Sequence, residues 1–440
     1  MEVCESIEFS TFSPIRTPIN SYSELRASLT PHEHNDFLVG LSSILQQFFI
    51  PKEKLKSDGY CDINHDNHPY FFQPLFTGEV DLKNVDAFLV NSEEISWWER
   101  CEIKQCEIHF FDDSIAVLKF DFRFINPDRI QLEMLKNGQF DRDISGLVKH
   151  IYTLCIYPYL SKIYTVLNDI ALSNIVKPKE FFIFNDIDFS AYEPKYDTVL
   201  WTGRMAYMPK GASELLTNSL HGWVGLADGD EADSFVLGSG NILINESIQE
   251  NDWGRILVVC QSYNAILYLL NLKLKEKYAE ISGGKRAKKH KQPNLTGTLG
   301  HTVRALEHIE FCQLEFKDAM IGTQAKRALI MELLSKAWKL PELEKLTIHR
   351  ANLIKSRIDT ILKEQQVKIN RSVEYLLSAI GCLAIVDLTI TLVSTSNNLK
   401  PDNIPGLFDL FKAIPHDGSA WVSIFLVVII SLYLYKIRNS

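Results

Sequence analysis

The period of apolar positions changes along the chain. Glu102–Phe124 alternates apolar and polar residues on either side of Asp112-Asp113-Ser114, a pattern that predicts a β-hairpin. A helix-like run follows from about Asp141 to Leu172, and strand-like pieces recur at Glu180–Phe184, Thr198–Tyr207 and Ser234–Ile244. From Trp253 onward the pattern is helical almost throughout, with one interruption between Ile281 and Gly300. Strands mixed with helices, then helices alone, predict an α/β (or α+β) head over residues 1–252 and a helical layer over 253–340.

Pro341 suits a first helical position, and from there to about Ser394 the only glycine is Gly381. This predicts a stalk helix over 341–396, whose last third, about 373–394, is apolar enough to be a first membrane span. Its apolar residues Leu346, Leu353, Ile354, Ile358, Ile361, Ile369, Val373 and Leu376 recur at mixed three, four and seven spacing, a packing stripe. A second span is predicted over 419–436, free of charge from Ser419 to Tyr435, with Trp421, Tyr433 and Tyr435 near its ends as interfacial aromatics. Residues 397–418 form the connecting loop and 437–440 a short tail.

Positive charge sets the orientation. Lys363, Lys368 and Arg371 precede the first span and Lys436 and Arg438 follow the second, whereas the loop sets Lys400 and Lys412 against Asp402, Asp409 and Asp417. Both chain ends are therefore expected in the cytoplasm, in a multi-pass protein of the inner (cell) membrane. The N-terminal Met1–Glu8 has no apolar core of a secretory signal, which agrees.

Asp387, Thr391, Ser394 and Asn398 stand at i, i+4, i+7 and i+11, so one face of the first span is polar through the outer half of the bilayer. An acid at that depth needs a polar surrounding, which several copies around a water-filled path would supply. These four residues are the candidate pore lining. The competing reading is helix glue, with Asp387 protonated or bonded to a serine of the second span.

Composition narrows the partners. A net charge of −9 argues against nucleic acid as a bulk partner. Eight cysteines with no CxxC pair read as reduced thiols rather than a disulfide frame or zinc site. GxxxxGK[ST], GxSxG and HExxH are all missing, so no enzymatic chemistry is expected. The basic loop 282–294, with Lys285, Arg286, Lys288 and Lys289, is a candidate contact for an anionic ligand or lipid headgroups. The acidic turn carrying Asp228, Asp230 and Asp233 offers hard oxygens to Mg²⁺ or Ca²⁺.

The order of head, long stalk running into span one, short outside loop, span two and basic tail resembles the CorA-type divalent metal transporters. The family's Gly-Met-Asn at the outer end of span one is replaced here by Thr395-Ser-Asn-Asn398-Leu, so no filter residue carries over. The resemblance implies a homo-oligomer, typically a pentamer, gated from the head, with Mg²⁺ or another divalent cation as transported or regulatory ion. Members without the motif include effectors encoded beside type III CRISPR systems, which implies an anionic nucleotide ligand and a role in antiviral defence. Another motif-less branch serves eukaryotic organelle membranes, and the sequence leaves both open. The alternatives of a different class are a membrane-anchored binding or scaffold protein and a membrane-tethered enzyme acting on a small anionic substrate.

Overall fold

In this computed structural model the described residues are 6–20, 39–51, 74–81, 101–111, 113–125, 135, 138–172, 189, 198–209, 211–225, 235–238, 240–244, 250–282, 295–322 and 325–398, with single positions and short pieces between 406 and 429. The chain forms two compact units, Met1–Ile354 and Lys355–Ser440.

The first unit is built on a mixed sheet. Its strands are β1 (Ser6–Asn20), β2 (Ile50–Pro51), β3 (Phe76–Glu79), β4 (Cys101–Phe110), β5 (Asp113–Ile125), β6 (Gly203–Tyr207), β7 (Phe235–Leu237) and β8 (Asn241–Ile244). They lie in the order β2-β3-β4-β5-β1-β6-β8-β7, with every neighbouring pair antiparallel except β6 and β8. The predicted hairpin is β4–β5, and Ser114 in its turn takes a left-handed φ of 57°. The Gly238–Asn241 turn joins β7 to β8, where the Gly238 N–H donates to the Asn241 carbonyl at 2.7 Å. A Cβ on Gly238 would come within 2.8 Å of the Val224 carbonyl oxygen, so this close approach requires glycine.

Alternation along the strands gives the sheet two apolar faces. One carries Phe9, Ile108, Phe110, Leu118, Phe120 and Phe122, and buries them beneath three helices. These are α1 (Gln139–Ile151), α2 (Tyr157–Leu172) and α3 (Glu214–Val224). A π-helical turn, Tyr152–Ile156, joins α1 to α2 within the predicted 141–172 helix. The other face presents Phe12, Ile115, Val117, Met205, Ile242 and Ile244 to α4 (Glu250–Ser282). Over α4 lie α5 (Leu295–Gly322), α6 (Ala325–Ala337) and the first turns of α7 (Leu340–Asn398), through Ile309, Cys312, Phe316, Ile330, Leu334 and Leu340. The head is thus a sheet between two helical layers, with a further helical layer outside one of them.

The long helix is unbroken. Pro341 sits in its first turn, and the 59 residues of α7 span about 90 Å at ~1.5 Å per residue. The boundary between the two units falls inside it, at Ile354/Lys355.

Two helices are long and apolar enough to cross a membrane, and burial separates them. The apolar stretch of α4 is 72% buried, whereas that of α7 is 11% buried. A helix that is apolar all round and wrapped by protein is a core helix, and α4 is one. In α7, Val373, Leu376, Leu377, Ile380, Leu383 and Leu388 are all exposed. That amount of uncovered apolar surface on one helix suits lipid, not water.

Candidate functional site

The candidate site lies on the second unit, on the last six turns of α7. Burial divides this stretch into two faces. Thr389, Val393 and Ser396 are buried, at spacings of four and three, and Ser378, Cys382 and Ile385 before them on the same side are half-buried. Thr389 Oγ1 donates to the Ile385 carbonyl at 2.7 Å and Ser396 Oγ to the Val393 carbonyl at 2.8 Å. The hydroxyls of the covered face are therefore satisfied by their own helix, which lets small polar side chains pack closely at no hydrogen-bonding cost.

The predicted lining occupies the opposite side. Asp387, Thr391 and Asn398 are exposed and Ser394 is half-buried. Each helical residue turns the chain by about 100°, so Asp387 stands about 200° from Thr389. All four predicted residues share one face, which among the described residues is the less covered one. Of the second predicted span, Ser423 is buried, Val427 half-buried, and Trp421, Ile424, Phe425, Val428 and Ile429 are exposed helical residues.

A bare carboxylate at this depth has an energetic consequence. Facing hydrocarbon, an ionised Asp at the centre of a span costs about 3 kcal/mol even on the lenient insertion scales. The neighbouring Thr391, Ser394 and Asn398 would add unpaired donors and acceptors to the same lipid-facing strip. Water or further polar protein on this face removes both costs.

The other predicted sites lie outside the described residues: Lys285, Arg286, Lys288 and Lys289 of the basic loop, and Asp228, Asp230 and Asp233 of the acidic turn. Among the described residues no group of three or more His, Cys, Asp or Glu side chains is placed to hold a metal ion.

The head contains polar clusters that periodicity did not announce. At the base of α7, Glu344 accepts from the Tyr263 hydroxyl of α4 through Oε1, and from Gln313 Nε2 of α5 at 2.8 Å through Oε2. Tyr263 stacks on Phe316 at 4.3 Å between ring centroids. Burial, then the Glu344 carboxylate, hold the Tyr263 phenol well above its usual range. Two turns further on, Arg350 Nη1 donates to Asn271 Oδ1 at 2.6 Å. Two helices of the head, α4 and α5, are thus tied to the start of α7, at Glu344 through neutral donors on a carboxylate.

On the other side of the sheet, Asp141 of α1 accepts from Trp223 Nε1 at 2.8 Å and Asn241 Nδ2 at 3.1 Å. Arg204 Nη2 donates to the Asp141 carbonyl and to Ser145 Oγ, with Nη1 3.7 Å from Asp141 Oδ2. Burial lowers the Arg204 pKa, and the Asp141 carboxylate opposes that shift. A third row lies on the α4 side of the sheet, where Lys119 Nζ is 2.8 Å from Asp121 and His109 Nε2 is 3.2 Å from Glu107. Long-range pairing assembles the Glu344 and Asp141 clusters, so a sequence period carries no signal for them, whereas Lys119–Asp121 and Glu107–His109 are neighbours two positions apart on one face of a strand.

Compared with known proteins, the chain matches no family model, no curated protein and no solved structure.

Proposed function

We propose that the chain is a self-associating membrane channel or transporter for cations, on the plan of the CorA-type transporters, with the head as its gating part. One observation carries the reading. The face bearing Asp387, Thr391, Ser394 and Asn398 is turned away from the covered side of its own helix. A row of such faces around an axis encloses water, and a ring of carboxylates favours cations over anions. Both chain ends then lie on the cytoplasmic side, as the distribution of positive charge requires. The Glu344 junction supports a gating role for the head, since it ties α4 and α5 to the helix that continues into the membrane. A ligand opens such a channel only if it binds one head–stalk arrangement better than another.

Ion flux into liposomes carrying the purified full-length protein tests this, with Mg²⁺, Ni²⁺, K⁺ and Cl⁻ as permeants and wild type beside Asp387→Asn. Cation flux that falls or changes selectivity in the variant is the expected result. Cation flux indifferent to Asp387→Asn, or chloride flux alone, overturns the proposed lining.

A further inference from the structure

The α4 face of the sheet changes character along its strands. On β5 it begins apolar, with Ile115 and Val117, and then carries Lys119 and Asp121. Beside them β4 contributes Glu107 and His109, and β3 contributes Thr77 and Glu79. Glu79 and Glu107 are directly opposed across β3 and β4, a like-charge pair that weakens a sheet. Glu107 and His109 are also buried, where charge contributes little to stability. Residues that break the local rules of a fold without a gain in packing point to function.

Three of these residues stand in line. Thr77 Oγ1 is 3.2 Å from His109 Nδ1, and His109 Nε2 is 3.2 Å from Glu107 Oε2. An ionised carboxylate only accepts, so Glu107 places the imidazole proton on Nε2 and leaves Nδ1 to accept from the Thr77 hydroxyl. The Nε2 contact is at ion-pair distance without hydrogen-bond alignment, as contacts of catalytic groups often are before substrate binds. Lys119 Nζ lies 4.0 Å from the same Glu107 oxygen and 2.8 Å from Asp121, a cation beside both carboxylates. Exposure is graded along the line. His109 and Glu107 are buried and Thr77 is half-buried, so the base is sheltered and the hydroxyl is the reachable member.

We propose that Thr77, His109 and Glu107 act as nucleophile, base and orienting acid, giving the head an acyl-transfer activity separate from conduction. The nucleophile and the base are 32 positions apart in sequence, so no short motif announces them. His109 takes the hydroxyl proton as Thr77 Oγ1 attacks the carbonyl carbon of an ester or thioester. The tetrahedral intermediate expels the alkoxide or thiolate, which leaves with that proton, and the acyl group stays on Thr77. Water, giving a proton to His109, then attacks the acyl group, and the acid departs as Thr77 regains its hydroxyl proton. The surrounding charge selects the substrate. Glu79, Glu107 and Asp121 outnumber Lys119 on this face, which repels phosphate esters and suits an uncharged acyl group.

Full-length protein in detergent, with p-nitrophenyl acetate as the probe, tests the site. Wild type should release p-nitrophenol in a burst and carry an acetyl group that mass spectrometry maps to Thr77. Thr77→Val should abolish the burst and the label, and Thr77→Ser should keep both. His109→Gln should slow acylation on the order of 10²–10⁴-fold, the range of general base catalysis. Glu107 acts only through His109, so Glu107→Gln should lower kcat with KM unchanged. No burst in wild type, acetylation confined to lysines, or equal rates in wild type and Thr77→Val would each overturn the assignment. If His109→Gln melts well below wild type, Thr77→Val and Thr77→Ser decide alone, since neither alters the buried histidine or its carboxylate.

Discussion

Asp387 and Thr389 are two residues apart on α7 and stand on opposite sides of it, Thr389 buried within its unit and Asp387 exposed. The two side chains therefore answer to different constraints, one of packing and one of solvation. Substitutions separate them. Ser396→Leu, on the Thr389 side, overpacks a closed contact and should cost about 1–3 kcal/mol. Asp387→Leu should leave the fold as stable as before while changing permeation. Thermal unfolding of both variants in one detergent checks this. A large loss of stability in Asp387→Leu, with Ser396→Leu unaffected, would reverse the assignment of the two faces.

The Glu344 junction should behave as a unit. Tyr263→Phe removes one donor and Gln313→Leu the other, each costing about 1–2 kcal/mol because the carboxylate keeps a partner. Glu344→Leu leaves the Tyr263 hydroxyl buried without its acceptor and should cost more than either. The double variant Tyr263→Phe with Glu344→Leu should be less damaged than the sum of the singles, since the stranded hydroxyl is gone. Strict additivity in chemical unfolding would show that the two groups do not act together.

Asp141 should matter more than its half-wet position suggests. Asp141→Ala strands Trp223 Nε1, removes one of the two acceptors of Asn241 Nδ2, which keeps the Trp223 carbonyl, and leaves Arg204 without its nearby carboxylate, a loss of roughly 2–4 kcal/mol. Asp141→Asn keeps one acceptor and should cost about half as much. Chemical unfolding of the two variants gives the comparison, and near-equal losses would mean that charge, not the two hydrogen bonds, sets the stability.

Local pattern made some elements legible and left others hidden. The β4–β5 hairpin was readable because alternation persists on both sides of one polar turn, and α7 because a proline start is followed by more than fifty residues with a single glycine. By contrast β1, a central strand, carries Pro14 and Pro18, which argue against a strand. It accommodates them because its pairing with β6 covers only Phe9–Phe12. The helix α4 passes for a membrane span in composition, since a helix sandwiched between a sheet and other helices is as apolar as one in lipid. The polar face of α7 was visible as a spacing, but which side the chain itself covers is a tertiary fact. The Asp141 and Glu344 clusters join residues 100 and 81 positions apart in sequence and leave no periodic trace.

Alkaline pH should loosen the layer between the sheet and α7. The Cys260 thiol and the Tyr263 phenol are both fully buried on α4, and burial raises both above their ordinary values of 9.0 and 10.0. A raised value means that the folded chain keeps these protons while the unfolded chain releases them. Stability from these groups is thus complete below about pH 9 and is lost as pH climbs from there toward the folded values, at up to ~1.4 kcal/mol per pH unit for each group. Tyr263→Phe lowers stability at every pH by removing the bond to Glu344, so the informative quantity is the slope. Chemical unfolding at pH 7, 9 and 10.5 should show a gentler alkaline decline in Tyr263→Phe, and gentler still with Cys260→Ala added. Parallel declines in wild type and both variants would place the alkaline sensitivity elsewhere in the head.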